Sequence, residues 1–91
     1  MREIEYTGKF KRDYKREKRT DLDIADVLQP VLELLAADAA LPDRLADHGL
    51  SGAWKGFRDC HIKPDLVLIY RKPDSHRLQL VRLGSHSELS L

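Results

Sequence analysis

The sequence has few of the features that mark secreted or membrane proteins. Its single cysteine, Cys60, rules out an internal disulfide. The longest uninterrupted apolar run is Leu66 to Tyr70, far short of the roughly 20 residues that a membrane-spanning helix needs. The opening residues, MREIE, include acids where a signal peptide has an apolar stretch. We therefore expect one small, reduced, cytoplasmic domain over residues 1–91, with no linker or repeat dividing it.

Net charge is also nearly absent, since 16 Lys and Arg oppose 15 Asp and Glu for a formal total of +1. The charges are nevertheless segregated along the chain. Residues 1–19 hold eight basic and four acidic side chains, residues 20–50 hold one and seven, and residues 51–91 hold seven and four. Such blocks are usually solvated helix faces. They also permit an interpretation in which the basic first and last thirds form one polyanion-binding surface.

The first half of the chain predicts a strand and two helices. Residues 3–6 alternate polar and apolar side chains, as a short strand does, and Thr7 can cap the basic helix that follows. A second helix is indicated by apolar residues at three- and four-residue spacing. Pro30 interrupts that pattern, so this helix is expected to kink or restart there and to continue to Leu41, just before Pro42.

After residue 50 the apolar pattern becomes that of strands. Three are predicted, joined by turns around Pro64 and Pro73: residues 54–59, 66–72 and 78–83. The order β-α-α-β-β-β predicts a single α+β domain, with a mainly antiparallel sheet and two helices packed on one of its faces. The opposite face remains available for a functional site. Trp54 and Tyr70 are interpreted as packing residues rather than platforms for nucleic-acid bases.

Histidine is the residue type that most suggests chemistry here. His48, His61 and His86 lie beside predicted strand ends, and Asp65 flanks the same turn as His61, so these four side chains can meet at one end of the sheet. Tetrahedral zinc binding is one interpretation, but no HExxH, CxxC or HxH spacing supports it. A nucleophilic pair of Cys60 and His61 is disfavoured, because adjacent strand residues point to opposite faces.

Metal-free acid–base cleavage of RNA is the interpretation that uses these residues most fully. Attack by a ribose 2′-hydroxyl needs a base, an acid for the leaving 5′-oxygen and cations for the phosphate. Histidine suits both proton-transfer roles. Arg58, Arg82 and Lys55 can supply the cations, and arginine can grip a phosphate through two hydrogen bonds. No cofactor or metal is expected.

Two stretches of the sequence resemble one toxin family. HGLSGAWKGFRDCHIKPDLVLIY (residues 48–70) is similar to the central block of YafQ-type toxins, which belong to the RelE superfamily of bacterial type II toxin–antitoxin systems. LVRLGSHSEL (residues 80–89) resembles the Arg-x-Gly-x-His ending of that family. The short first strand followed by a Lys/Arg-rich helix is also similar. The resemblance spans essentially the whole chain and implies a RelE-like fold.

The resemblance implies a ribosome-dependent endoribonuclease that cuts mRNA in the A site and is neutralised by a cognate antitoxin. It implies contact with DNA only through the antitoxin complex, and none with a membrane. The catalytic positions of the family map onto His48, His61, Asp65, His86 and Arg82. The residues expected to bind substrate or ribosomal RNA are all basic: Lys9, Lys11, Arg12, Lys15, Arg16, Lys55 and Arg58.

Within this set, His86 is expected to be one proton-transfer group and Asp65 or His48 the other. His61 and Arg82 are expected to orient and neutralise the phosphate.

One departure from the family keeps other functions open. Its members commonly end with an aromatic residue after the last histidine and leucine, whereas here Leu89 is followed by Ser90 and Leu91. A catalytically impaired relative that serves as an antitoxin-binding or autorepression partner is therefore one alternative. A ParE-like toxin, which shares the superfamily fold but inhibits DNA gyrase, is another.

Overall fold

The computed structural model describes all of residues 1–91 and contains five strands and two α-helices. The strands are β1 (Glu3–Tyr6), β2 (His48–Gly49), β3 (Arg58–Lys63), β4 (Leu66–Arg71) and β5 (Arg77–Gly84), and the helices are α1 (Gly8–Lys18) and α2 (Ile24–Ala36). The strands form one sheet in the order β1-β5-β4-β3-β2, in which β1 pairs in parallel with β5 and the other pairs are antiparallel. The predicted α+β class and mainly antiparallel sheet are confirmed, with β2 as an additional short strand.

Both helices pack on one face of the sheet, as predicted. Phe10 of α1 and Ile24 and Leu28 of α2 share a core with alternate residues of the central strands, such as Leu68 and Leu80. Successive residues of a strand point to opposite faces, so the intervening residues of β4 and β5 face away from the helices. That second face is where a site can form.

The predicted start of α1 is confirmed, whereas the predicted end of the second helix is not. Thr7 caps α1 as predicted, since its hydroxyl accepts a hydrogen bond from the Phe10 amide at 3.2 Å. The predicted end of the second helix near Leu41 is wrong, because α2 ends at Ala36. Asp38 then adopts a left-handed backbone with φ of 55°, a conformation that commonly follows the end of a helix.

The predicted strand over residues 54–59 is wrong at its start. Gly52–Trp54 forms a 3-10 turn, and Gly56 has φ of 92°, which glycine adopts without steric cost. Strand β3 begins only at Arg58, so His61 lies within a strand rather than just beyond one. Strands β4 and β5 match their predicted ranges to within one residue at each end.

The face of the sheet turned away from the helices carries a second, smaller core. Val67 and Ile69 of β4 are buried there together with Leu89, and Trp54 packs against them. Tyr70 faces the helices and is buried. The interpretation of both aromatic residues as packing residues is therefore confirmed. Neither helix has the length and apolar character needed to cross a bilayer.

Candidate active site

Strand pairing places His48 and His61 on one face of the sheet. His48 of β2 lies opposite Asp59 of β3, and His61 of β3 lies opposite Val67 of β4. Asp59 and His61 are two residues apart on one strand, so their side chains point to the same side. This is the side away from the helices, because Val67 belongs to the second core.

His86 reaches the same face from the end of β5. It follows Gly84, the last residue of that strand, in a turn that the Leu89 amide closes by donating to the Ser85 carbonyl at 3.1 Å. The Nε2 atoms of His61 and His86 are 3.1 Å apart, and the ring centroids are 5.0 Å apart. The Nε2 distance is that of a hydrogen bond, so one ring donates a proton and the other accepts it.

Asp65 holds the other side of the His86 ring. Its Oδ1 lies 2.7 Å from His86 Nδ1 and also accepts a hydrogen bond from the His86 backbone amide at 3.0 Å. The two bonds from His86 hold the pKa of Asp65 below its ordinary value, so this carboxyl group is ionised at neutral pH. An ionised carboxylate only accepts, so Nδ1 of His86 carries a proton and Nε2 is left to face His61. Asp65, His86 and His61 therefore form one hydrogen-bonded chain.

The bonds to Asp65 predict its acid titration. The pKa of Asp65 in the folded protein lies below the unfolded value of about 3.9, so the contact is complete above that pH and is lost as the pH falls through the lowered pKa. We expect NMR to show the Asp65 carboxyl carbon titrating below its ordinary range. In the His86→Gln variant the pKa of Asp65 should rise but not fully recover, because the backbone amide still donates. An ordinary titration in the unmodified protein would contradict the contact.

His48 completes the cluster from the edge of the sheet. Its ring centroid is 6.5 Å from that of His61. Its Nδ1 atom lies 2.8 Å from the carbonyl oxygen of Ala46 and 3.1 Å from Oδ1 of Asp59. The His48 side chain is about half exposed, whereas Asp59 is buried. The four residues predicted for acid–base chemistry therefore lie together on one face of the sheet, within reach of solvent.

Arg82, also predicted for this site, directs its guanidinium group elsewhere. Its backbone lies beside Ile69 on β4, but its Nε donates to Oδ2 of Asp13 in α1 at 2.7 Å. Its Nη2 approaches the other Asp13 oxygen at 3.4 Å, and Arg16 binds the same carboxylate through Nη1 at 3.0 Å. The side-chain hydrogen bonds of Arg82 thus lie at the α1 edge of the sheet, and none of them reaches a histidine.

Part of the predicted basic surface lies at that edge. An open polar cleft of about 340 Å³ runs between α1 and β5, and no apolar side chain lines it. Its walls are formed by Lys9, Arg12, Asp13, Arg16 and Arg82. Four cationic groups therefore surround a single carboxylate, which gives the cleft a positive potential suited to phosphate.

The remaining predicted basic residues do not join this cleft. Lys11 borders an apolar groove between α1 and α2, and Lys15 is exposed on α1. Lys55 is exposed in the loop before β3. Arg58, the first residue of β3, pairs with the carboxylate of Asp47, the residue before β2, at 3.3 Å. The structure thus separates the seven residues into a cleft group and a scattered group.

Two buried carboxylates, Asp13 and Asp59, are not among the site residues predicted from the sequence. Asp13 lies three residues after Phe10, on the buried stripe of α1, and this helical spacing is a signal that could have found it. Asp59 precedes His61 by two residues, which places both side chains on one face of β3. Cys60 between them faces the helix core, where burial raises the pKa of its thiol to about 12, so it cannot act as a nucleophile.

Known proteins are similar to this chain in both fold and sequence. The chain matches, over residues 2–91, the family described as the bacterial toxin of type II toxin–antitoxin system, YafQ. The mRNA interferase toxin YafQ of Escherichia coli (strain K12) is 36% identical over 89 residues, which cover 98% of this chain and 96% of the relative.

Solved structures agree with this match. A copper-bound mutant toxin from Helicobacter pylori superposes with a TM-score of 0.92 at 40% identity, covering 98% of this chain and 99% of that one. The E. coli DinJ–YafQ complex contains a chain that superposes with a TM-score of 0.86 at 37% identity, covering 98% of each.

Fold and sequence together define a bacterial toxin of the type II toxin–antitoxin class. The chain belongs to the YafQ family. The family predicted from the sequence and its class of enzyme, the endoribonucleases, are confirmed.

Proposed function

We propose that this toxin cleaves mRNA in the A site of the translating ribosome, through attack of a ribose 2′-hydroxyl on the adjacent phosphate and without a metal. The observation that carries the proposal is the hydrogen-bonded chain of Asp65, His86 and His61, with His48 beside it. This arrangement supplies two proton-transfer groups near one point, which the reaction requires. The name of the E. coli relative, an mRNA interferase, supports mRNA as the substrate.

The hydrogen bonds favour one division of roles. Asp65 Oδ1 already accepts two bonds from His86, so it suits holding that ring better than taking a proton from the substrate. His86 is proposed to act in its imidazolium form, in which Nε2 also carries a proton, and to give that proton to the leaving 5′-oxygen. His48 is proposed to take the proton from the 2′-hydroxyl. His61 lies next to both rings and is proposed to bind the phosphate between them.

The contact between His61 and His86 sets a condition for substrate binding. Their Nε2 atoms are 3.1 Å apart, which leaves no space for a phosphate oxygen between them. The two rings must therefore separate when the substrate enters. The Nε2–H group that His61 directs at His86 then becomes free to donate to the phosphate.

The basic cleft beside β5 is proposed to bind phosphates of RNA. Arg82 uses Nε and Nη2 for Asp13, which leaves Nη1 for an anion in the cleft. Lys9, Arg12 and Arg16 extend the positive surface along α1. Because the net charge is only +1, affinity for the ribosome must come from this local charge, and binding should weaken as salt is added.

A cognate antitoxin is the second partner that we propose. A solved structure of the DinJ–YafQ complex of E. coli is described as a toxin–antitoxin complex. The match to it covers 97% of this chain and 96% of that one. We infer that this chain is held inactive by a protein of the same kind, and that it meets DNA only through that complex.

The test is cleavage of labelled mRNA in a defined 70S complex that has an occupied P site and an empty A site. We expect a cut that leaves a 5′-hydroxyl on one fragment and a 2′,3′-cyclic phosphate, or its 3′-phosphate product, on the other. Fragments with a 5′-phosphate and a 3′-hydroxyl would overturn attack by the 2′-hydroxyl. Intact mRNA together with inhibited supercoiling by DNA gyrase would favour the ParE-like alternative.

The independence from metal is tested in the same reaction. 1,10-Phenanthroline removes transition metals while the Mg²⁺ that the ribosome needs is held constant. We expect the cleavage rate to stay unchanged, because every proposed proton transfer uses a side chain. The test is informative because a similar toxin from H. pylori was solved with copper bound. A large loss of rate that added copper or zinc restores would contradict the metal-free mechanism.

A further inference from the structure

Asp59 is a charged side chain buried beside the histidine cluster. It is 3% exposed and lies on the same face of β3 as His61. Its Oδ1 atom is fully buried and receives no well-aligned hydrogen bond. A buried carboxylate is costly unless a positive or donating group compensates it. The His48 ring can provide such a group, since its Nδ1 lies 3.1 Å from Oδ1 of Asp59.

The His48 ring is held so that its other nitrogen is the basic one. Its Nδ1 atom is 2.8 Å from the Ala46 carbonyl oxygen, which can only accept, so Nδ1 carries the proton. Ala46 adopts a left-handed backbone with φ of 47°, an uncommon conformation for a residue with a side chain. The Nδ1 proton therefore points to the Ala46 oxygen, and Asp59 stands beside the ring as a charge rather than as its main acceptor.

We propose that Asp59 is a positioning residue that supplies the counter-charge for His48 when that ring becomes an imidazolium ion. The inference rests on the proposed function. The 2′-hydroxyl proton moves to Nε2 of His48 as the 2′-oxygen bonds to phosphorus. The bond from phosphorus to the 5′-oxygen breaks, and that oxygen takes the Nε2 proton of the His86 imidazolium ion, which becomes a neutral ring that keeps its Nδ1 proton toward Asp65. Asp59 stabilises the charge on His48 without touching the substrate.

The other charged groups near His48 cannot take this role. Asp47, the preceding residue, is held by Arg58 at 3.3 Å and accepts a hydrogen bond from the Tyr70 hydroxyl at 2.6 Å. His61, the neighbouring ring on β3, is either neutral or cationic, so it cannot supply a negative counter-charge. Asp59 is thus the carboxylate whose charge is left for His48.

The matched pair of variants is Asp59→Asn and Asp47→Asn, which remove the same charge from neighbouring carboxylates. For Asp59→Asn we expect the single-turnover rate of mRNA cleavage on the ribosome to fall about 10- to 100-fold, a range typical of residues that support a catalytic group. The ribosome concentration for half-maximal rate should not change. The low-pH limb of the rate profile should move to lower pH, because the imidazolium ion of His48 is less favoured without the carboxylate.

Asp47→Asn should leave the low-pH limb of the rate profile unchanged, because the Asp47 carboxylate is paired with Arg58 and accepts a hydrogen bond from Tyr70. Equal rate profiles for Asp59→Asn and the unmodified toxin would overturn the proposal. So would an equal shift of the limb in both variants.

A second measurement needs no substitution and no cleavage. NMR of the purified toxin follows the Asp59 carboxyl carbon and the His48 ring during a pH titration. We expect both to respond in the same step, as coupled neighbours do. A silent Asp59 carbon through the His48 step would overturn the coupling even if Asp59→Asn failed to fold. A coupled titration in a toxin that leaves mRNA intact would instead refute the proposed function and leave the pairing standing.

Discussion

His86→Gln is expected to lower the rate of mRNA cleavage by about 10³-fold, within the range that loss of a general acid or base costs. Glutamine keeps the backbone amide that donates to Asp65 and fills a similar volume, so the turn after β5 should stay folded. It removes both ring nitrogens, and with them the bond to His61 and the proposed proton for the 5′-oxygen. The measurement is the single-turnover cleavage rate, with the melting temperature as a check on folding.

Asp65→Asn provides the graded comparison for His86→Gln. It should cost less, about 10-fold, because the amide can still accept from the His86 ring but carries no charge to orient it. The two changes together should cost about as much as His86→Gln alone, since Asp65 acts through that ring. A His86→Gln toxin that cleaves mRNA at the unmodified rate would refute the assignment of His86. Additive losses would show that Asp65 acts independently.

The parts of the fold that follow from local chemistry could be predicted from the sequence. The Thr7 cap and strands β4 and β5 depend on side chains and alternation within a few residues, and the structure confirms them. The start of β3 could not be predicted in this way. The Trp54 region is apolar and aromatic like a strand, but the left-handed glycine at residue 56 turns the chain before pairing with β4 can begin.

The site shows a similar division between local and long-range information. His61 and Asp65 flank one turn, so their proximity follows from the predicted hairpin. The contact of His86 with both depends on the pairing of β4 with β5 and on the turn after Gly84. The resemblance to the toxin family pointed to these positions, whereas the residue types alone left zinc binding and surface exposure open.

The guanidinium group of Arg82 illustrates what the sequence could not reveal. Its direction is set by Asp13, which comes from a helix 69 residues earlier in the chain. The register between β4 and β5 also shifts after Ile69, next to its pairing with Arg82. Neither the packing of α1 against β5 nor this shift leaves a mark in the local pattern around residue 82. A strand pattern predicts the face of a residue and not the destination of a long side chain.

Among the polar side chains that line the basic cleft between α1 and β5, Asp13 is the one whose removal should destabilise the fold most. It is 4% exposed and accepts hydrogen bonds from Arg82, Arg16 and the Leu83 amide, with Leu83 at 3.0 Å. Burial alone raises the pKa of Asp13, but the Arg82 hydrogen bond, the Leu83 amide and the charges of both arginines outweigh it and hold that pKa below its ordinary value. The carboxylate is therefore ionised and paired at neutral pH.

Asp13→Ala is expected to lower the free energy of unfolding by about 2–3 kcal/mol at pH 7, measured by urea denaturation. The loss should be smaller than for a fully buried pair because Arg16 is partly exposed. The folded pKa of Asp13 lies below the unfolded one, so its stabilisation is present above about pH 4 and disappears as the pH falls through the folded pKa. The gap between the variant and the unmodified protein should therefore narrow in acid.

The matched control for Asp13→Ala is Asp21→Ala, which removes the surface partner of Lys63 and should have a much smaller effect. Equal losses of stability in the two variants would show that the buried cluster contributes no more than a surface ion pair. A gap that stayed constant down to pH 3 would contradict a paired, ionised Asp13. Because the same carboxylate holds Arg82, a folded Asp13→Ala toxin should also bind ribosomes with a different dependence on salt, which connects the stability of this edge to its proposed use in binding RNA.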